Sequence, residues 1–355
     1  MKNPFGRRIR RSCSADLENC TSSGKDACTG CPSRSDVPVA EGNNNSATRS
    51  VDASPVGTTD VPESSMAVQV KRSHTQGSDP FFGGRDFAIA RALKRIRYTL
   101  FIMSGKGGVG KSSVTVNLAS ALALKGHRVG VMDVDLHGPS VPNLFGLHGR
   151  PGTAADGKRL LPVEFMPNLH IISMDSLLAD RNASVLWRGP KKTAAIKQFL
   201  SDVVWGDLDF LLIDSPPGTG DEHLTILKNI PEIQCVVVTT PQEISLADVR
   251  KAMDFLRRSN ALVLGLVENM SGLSCPNCGT SIPLFKTGGG KLLAEQYHIP
   301  FLGAVVLDPL AVVAADSGIP VVCMQEDSAA KRGFLVLAEA VDKACREENA
   351  VRMEA

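Results

Sequence analysis

Nowhere in the 355 residues is there an apolar run long enough to cross a bilayer: stretches such as Ala261 to Val267 fall far short of the roughly 18 residues a membrane helix needs. A soluble protein without a membrane partner is expected. The chain also lacks an excess of charge of either sign. Its formal net charge is +2, too weak a field to imply nucleic acid or an acidic lipid surface as a partner. A secretory apolar segment is missing as well. Together with an odd number of cysteines, nine, that argues against a disulfide framework and for a reducing compartment.

What is present is ample apolar material, 43% of the residues, and a length that allows one doubly wound domain or two smaller domains. The first twelve residues carry Lys2, Arg7, Arg8, Arg10 and Arg11 and no acid. This is compatible with an organelle transit segment or with a solvated basic tip, since Asp16 and Glu18 follow at once. Four of the cysteines form two C-x-x-C pairs, Cys28/Cys31 and Cys275/Cys278, a spacing that serves metal or redox chemistry.

Composition divides the chain into four parts. Residues 1–32 form a cysteine-containing head, and residues 33–84, rich in Ser, Thr, Pro, Asn and Gly, hold too few large apolar residues to build a core. A disordered linker is expected there. Residues 85–346 form the main domain and 347–355 a short tail. Within the main domain, β-branched runs alternate with amphipathic stretches. Strands are expected at Leu100 to Ser104, Arg128 to Asp133, Leu169 to Met174, Phe210 to Asp214, Cys235 to Thr240, Leu262 to Glu268 and Phe301 to Val306. Helices are expected at Lys111 to Lys125, Lys191 to Val203, Asp221 to Lys228, Glu243 to Arg258, Lys291 to Tyr297 and Ser328 to Arg346. Near-continuous apolar strands alternating with helices mean a doubly wound α/β fold whose mostly parallel sheet is covered on both faces. Ligands of such folds gather at the carboxyl ends of the strands.

Directly after the first expected strand stands Gly105-Lys106-Gly107-Gly108-Val109-Gly110-Lys111-Ser112, followed by Ser113. It satisfies G-x-x-x-x-G-K-[ST] in the required strand, loop and helix context. The glycines let backbone N–H groups turn inward onto phosphate oxygens, and the helix that follows adds its positive end. Lys111 would neutralise the β and γ phosphates of ATP, and the Ser112 hydroxyl would ligate Mg2+. Two further strands end in acids, Asp214 on one and Asp133 with Asp135 on the other. Asp214, followed by Ser215-Pro-Pro-Gly-Thr-Gly220, takes the Walker B role, Asp135 positions the attacking water, and Asp133 stands in the outer shell of the metal. The alternative for any one acid is a helix cap. His137 and His223, without ligand-spaced partners, read as polar loop residues. The run Gly288-Gly289-Gly290 lacks the G-K-[ST] ending and reads as the flexible start of a helix.

Lys106 is not needed by the general phosphate-loop pattern. With it, the loop resembles the deviant Walker A class, which includes septum-site and chromosome-partitioning ATPases and the nitrogenase iron protein. The resemblance implies that Lys106 reaches a partner's nucleotide across the interface of a homodimer, or of a heterodimer with a related ATPase. Within the class the chain looks most like the Mrp/Nbp-type iron–sulfur scaffold ATPases. The matching segments are Ser104 to Ser113, Asp133-Val-Asp-Leu-His-Gly-Pro-Ser140, Trp187-Arg-Gly-Pro-Lys-Lys192, Asp214 to His223, Thr240-Pro-Gln-Glu243, Glu268-Asn-Met-Ser-Gly272, Cys275-Pro-Asn-Cys278 and Leu307-Asp-Pro309. The resemblance covers about 100 to 320 and implies catalytic roles for Lys106, Lys111, Asp135 and Asp214. It places Asn269 and the turn at Asp308 near the adenine.

Read by spacing alone, Cys275/Cys278 is half a tetrahedral site, and zinc would suit it. The resemblance implies instead that two copies bring their pairs together around one bridging 4Fe-4S cluster. The amino-terminal head is similar to that of the eukaryotic cytosolic branch, which binds a second 4Fe-4S cluster through four cysteines. This sequence departs from that pattern: Val37 and Ser14 stand where cysteines are expected. Cys13 and Cys20 are the substitutes, joining Cys28 and Cys31. The function implied is an ATP-hydrolysing scaffold that passes clusters to apo iron–sulfur proteins, in the cytoplasm or, if the basic tip is an import signal, in mitochondria. Alternatives are an electron-transfer ATPase like the nitrogenase iron protein and a positioning or partitioning ATPase. The latter would be expected to carry a basic amphipathic carboxyl-terminal helix, whereas Ala329 to Ala355 mixes acids and bases.

Overall fold

Alternation of apolar strands with amphipathic helices produces the expected sheet in the computed structural model, which describes residues 83–135, 138, 140–177, 189–275 and 277–354. The expected head, the linker before residue 83, Cys13, Cys20, Cys28, Cys31 and His137 lie outside the described residues.

In chain order the elements are α1 (Gly83–Leu93), β1 (Ile96–Ser104), α2 (Lys111–Leu124), β2 (Val129–Asp133), α3 (Val141–Leu144), β3 (Gly152–Thr153), β4 (Leu160–Leu161), β5 (Val163–Met166), β6 (Leu169–Ser173), α4 (Gly189–Asp202), β7 (Leu208–Asp214), α5 (Asp221–Asn229), β8 (Gln234–Thr239), α6 (Glu243–Arg258), β9 (Leu262–Ser274), β10 (Ser281–Ile282), α7 (Gly289–Gln296), β11 (Phe301–Leu307), α8 (Pro309–Asp316) and α9 (Ala329–Glu354).

The main sheet runs β10-β9-β8-β1-β7-β2-β6-β5, with β11 also paired to β9. Every pairing is parallel except those of β5 with β6 and β10 with β9. Alternate side chains of one strand enter different cores. Leu100 and Ile102 of β1 pack with α2, α3, α8 and α9, whereas Phe101 and Met103 pack with α1, α4, α5, α6 and α7. Burial on both faces is why these strands read as continuous apolar runs. It also fixes register, because a slip by one residue would exchange the two faces. In the register found, Asp133 lies beside Asp214 and Ile102 beside Asp214, so the acids and the phosphate loop emerge at one edge of the sheet.

All seven expected strands are present, and the differences lie at ends and edges. β9 continues six residues beyond Glu268 although Asn269, Ser271 and Gly272 break its apolar pattern. Pairing with β11 and β10 sustains it. α9 continues past Arg346 to Glu354, since no breaker intervenes and Arg352 pairs with Glu348 one turn away at 3.2 Å. Among the described residues no helix is long and apolar enough to cross a membrane.

Candidate nucleotide site and cysteine hairpin

Ser104 ends β1 and Lys111 begins α2, so the phosphate loop is the whole connection between them. Gly108 and Gly110 take left-handed φ values of 78° and 80°, a backbone conformation that is costly for residues bearing a β-carbon. Gly110 is also crowded: a β-carbon there would lie 2.2 Å from Asn269 Nδ2. The loop encloses a cavity of about 360 Å3, lined among others by Lys106, Lys111, Ser112, Ser113, Asp135 and Pro217.

Asp214, at the end of β7, is the polar centre of the site. Its carboxylate is fully buried. Oδ2 accepts hydrogen bonds from Lys111 Nζ at 2.6 Å and from Ser112 Oγ at 2.7 Å, and Oδ1 accepts one from Thr115 Oγ1 at 2.6 Å. Lys111 is itself only 6% exposed, so the pair is a buried one. No sequence motif marks Thr115. Its position four residues after Lys111, on the same helical face, was the available signal.

Asp133, on the neighbouring strand, is fully buried and lies in register beside Asp214. It accepts from Ser173 Oγ and from the Asp135 backbone N–H, both at 3.0 Å. Burial, and then the adjacent charge of Asp214, hold its carboxyl well above the usual range. Asp135 lines the cavity and accepts from the Gly138 N–H at 3.2 Å. Lys106 stands half-exposed at the rim, its carbonyl accepting from Ser104 Oγ at 2.9 Å.

Asn269 is buried on β9, and its Nδ2 donates to the Val109 carbonyl at 2.9 Å. Asp308 caps two helices: Oδ1 accepts from Leu310 N at 2.9 Å and Oδ2 from Ala330 N at 3.1 Å. The loop after Asp214 is tied to β1 through Ser215 N to Ile102 O and Gly218 N to Ser104 O. His223 belongs to α5, not to a loop. It is 1% exposed and lies edge-on to Phe101 and Phe255, and its Nδ1 accepts from Gly220 N at 3.2 Å. Burial lowers its pKa to about 4.

The second site is a hairpin at the end of β9. Cys275 follows Ser274 directly, and its N–H and carbonyl bond Thr280 O and Gly279 N, both at 2.9 Å. Cys278 is exposed and its Sγ lies 3.2 Å from Thr280 Oγ1. The side-chain hydrogen bond shared with the Thr280 hydroxyl, and then the Thr280 backbone, lower the Cys278 thiol below its usual range. The other free cysteines differ: burial pushes Cys235 and Cys345 up to about 12 and Cys323 up to about 11. Thiolate chemistry among the described residues therefore belongs to the hairpin. No group of three or more Cys, His, Asp or Glu side chains among the described residues could hold a metal ion, so the pair is half a coordination sphere.

Fold and loop define a P-loop nucleoside triphosphatase. A ParA-type family model, described as the NUBPL iron-transfer P-loop NTPase, matches residues 95–342, and the chain belongs to that family. It is 46% identical over 241 residues to the iron-sulfur cluster carrier protein of Methanocaldococcus jannaschii, covering 68% of this chain and 83% of that protein. It is 48% identical over 229 residues to the cytosolic Fe-S cluster assembly factor CFD1 of Kluyveromyces lactis, covering 62% of this chain and 80% of that one. Among solved structures, a nucleotide-binding protein of Archaeoglobus fulgidus in complex with ADP is 37% identical with a TM-score of 0.61, over 70% of this chain and 96% of that one. The cell division ATPase MinD of Pyrococcus furiosus, 24% identical with a TM-score of 0.52 over 70% and 99%, shares the fold.

Proposed function

We propose that the protein is an ATP-hydrolysing carrier that assembles a 4Fe-4S cluster between two chains and passes it to apo iron–sulfur proteins. The observation that carries this reading is the Cys275/Cys278 hairpin, with Cys278 exposed and no third ligand among the described residues, at the end of the strand that also touches the phosphate loop. Two such half-sites related by a twofold axis supply the four thiolates a cluster needs. The cluster is cargo, and its partners are a second copy or a related ATPase chain, and client apo-proteins. The cytosolic relative and the free cysteines favour the cytoplasm.

The nucleotide side follows from the donor set. Backbone N–H groups of Gly105 to Ser113 receive the phosphates, and Lys111 leaves Asp214 to pair with them. Ser112 Oγ and Asp214 Oδ2, 2.7 Å apart, are hard oxygen donors of the kind that would hold Mg2+. When bound, that ion neutralises charge developing on the β and γ phosphates. Asp135, facing the cavity, orients the attacking water, while Asp133, its carboxyl held well above the usual range by burial, accepts from and fixes the Asp135 backbone N–H. Lys106 serves the partner chain's nucleotide. Asn269 and the backbone turn at Asp308 border the base. In the head, Cys13, Cys20, Cys28 and Cys31 hold a second cluster.

Anaerobic reconstitution of wild type, Cys275→Ala and Cys28→Ala with iron and sulfide tests the reading. Loss of the bridging iron and of transfer to an apo-ferredoxin is expected in Cys275→Ala. Full iron in Cys275→Ala, or zinc in protein purified without air, overturns it.

A further inference from the structure

The phosphate loop and the cysteine hairpin share one strand. β9 meets the loop at Asn269, whose amide donates to Val109 O at 2.9 Å, and it ends at Ser274, immediately before Cys275. Between these points the backbone enters the left-handed region twice, at Met270 (φ 57°) and Gly272 (φ 76°). A methionine keeps that conformation only where its surroundings impose it.

Here they include Glu268. Its carboxylate is fully buried and accepts hydrogen bonds from three donors farther along the chain. Oε1 accepts from Ser271 Oγ and from Gly288 N at 2.8 Å, and Oε2 accepts from Gly290 N at 2.6 Å. Ser271 lies inside the left-handed stretch, and Gly288 to Gly290 begin α7, the helix after the hairpin. One side chain thus holds both the exit from β9 into the hairpin and the return from it. Gly290 permits the approach, since a β-carbon there would lie 3.1 Å from Glu268 Oε2 and 2.9 Å from Leu266 Cδ2.

We propose that Glu268 is the positioning residue that couples the nucleotide loop to the cysteine hairpin, so that nucleotide at the loop alters the presentation of Cys275 and Cys278. The inference rests on the carrier reading and gives it a route. A shift of the Val109 carbonyl is felt by Asn269 and passed to its neighbour Glu268. Because three hydrogen bonds converge on one buried carboxylate, the segment from Ser271 to Gly290 responds as a unit and not by local give.

The test uses the full chain, iron-free and anaerobic, alkylated with iodoacetamide with and without ATP and Mg2+. Mass spectrometry of the peptide holding Cys275 and Cys278 gives the two rates. In wild type nucleotide changes the rate by about fivefold. Glu268→Gln keeps the size but sets an amide N–H against a backbone N–H. In it the rate ratio falls to about one while ADP affinity stays within about threefold of wild type. Ser271→Ala, lacking one donor, gives an intermediate ratio. A wild-type ratio in Glu268→Gln overturns the inference, as does an unchanged ratio in Ser271→Ala should the first variant not fold, or the absence of any nucleotide effect in wild type. Since no iron enters this measurement, a wild-type chain that fails to bind iron would sink the carrier reading separately.

Discussion

Replacing Asp214 with asparagine removes one charge from a buried pair and leaves the other behind. Lys111 Nζ lies 2.6 Å from Asp214 Oδ2, and their side chains are 7% and 0% exposed. In Asp214→Asn the amide offers Thr115 an acceptor through Oδ1, but an N–H2 group then faces the ammonium and the Ser112 hydroxyl. Breaking a buried pair in this way costs about 3–5 kcal/mol, because an uncompensated charge stays in a dry environment. For a domain of this size that lowers Tm by roughly 6 to 20 °C. Thr115→Val, which removes the hydroxyl shared between the carboxylate at 2.6 Å and the Lys111 carbonyl at 3.1 Å but leaves both charges in place, should cost about 1.5–3 kcal/mol. The double variant Lys111→Met with Asp214→Asn removes both charges and should recover much of the loss. Urea denaturation of the three variants without nucleotide measures these differences. A double variant no more stable than Asp214→Asn would refute the argument, since the damage would then not come from a stranded ammonium.

Three further outcomes follow from other contacts. His223 has its pKa lowered to about 4 by burial, so protons bind the unfolded chain more readily. Its contribution is whole above about pH 6.5 and is lost as pH falls toward 4, the loss reaching about 2 kcal/mol by pH 5. His223→Gln should flatten that part of the pH–stability curve, and a curve of unchanged slope between pH 7.5 and 5 would contradict the assignment. Thr280→Val removes the hydroxyl that bonds Cys278 Sγ at 3.2 Å. The thiol pKa then rises and alkylation of Cys278 at pH 7 slows by about threefold, measured by peptide mass spectrometry against the inert Cys235; an unchanged rate would sink the contact. Gly110→Ala puts a β-carbon 2.2 Å from Asn269 Nδ2 at a φ of 80°, and equilibrium dialysis should find ADP binding weakened by at least about tenfold.

The sheet was legible because strands buried on both faces announce themselves as apolar runs and the helices between them as amphipathic stretches. The phosphate loop was legible because its chemistry is contiguous, eight residues that the fold leaves adjacent. What sequence did not reveal is assembled across distance. Thr115 bonds Asp214 from 99 residues away, and Ser173 bonds Asp133 from 40. Glu268 reads as the end of a strand, yet its partners are Gly288 and Gly290, about one hairpin further on. The glycine run expected to be a flexible start of a helix is held instead by that carboxylate. The short strands β3, β4, β5 and β10 are not legible because two to four mostly exposed residues carry too little periodicity to register.

The central claim is that a cluster is shared between two chains through Cys275 and Cys278. Native mass spectrometry of anaerobically reconstituted protein, in a Cys28→Ala background that silences the head, tests it most directly. The account predicts the mass of one 4Fe-4S unit on the two-chain species only, and its disappearance in Cys275→Ala. A cluster carried by single chains, or one that survives Cys275→Ala, would contradict it.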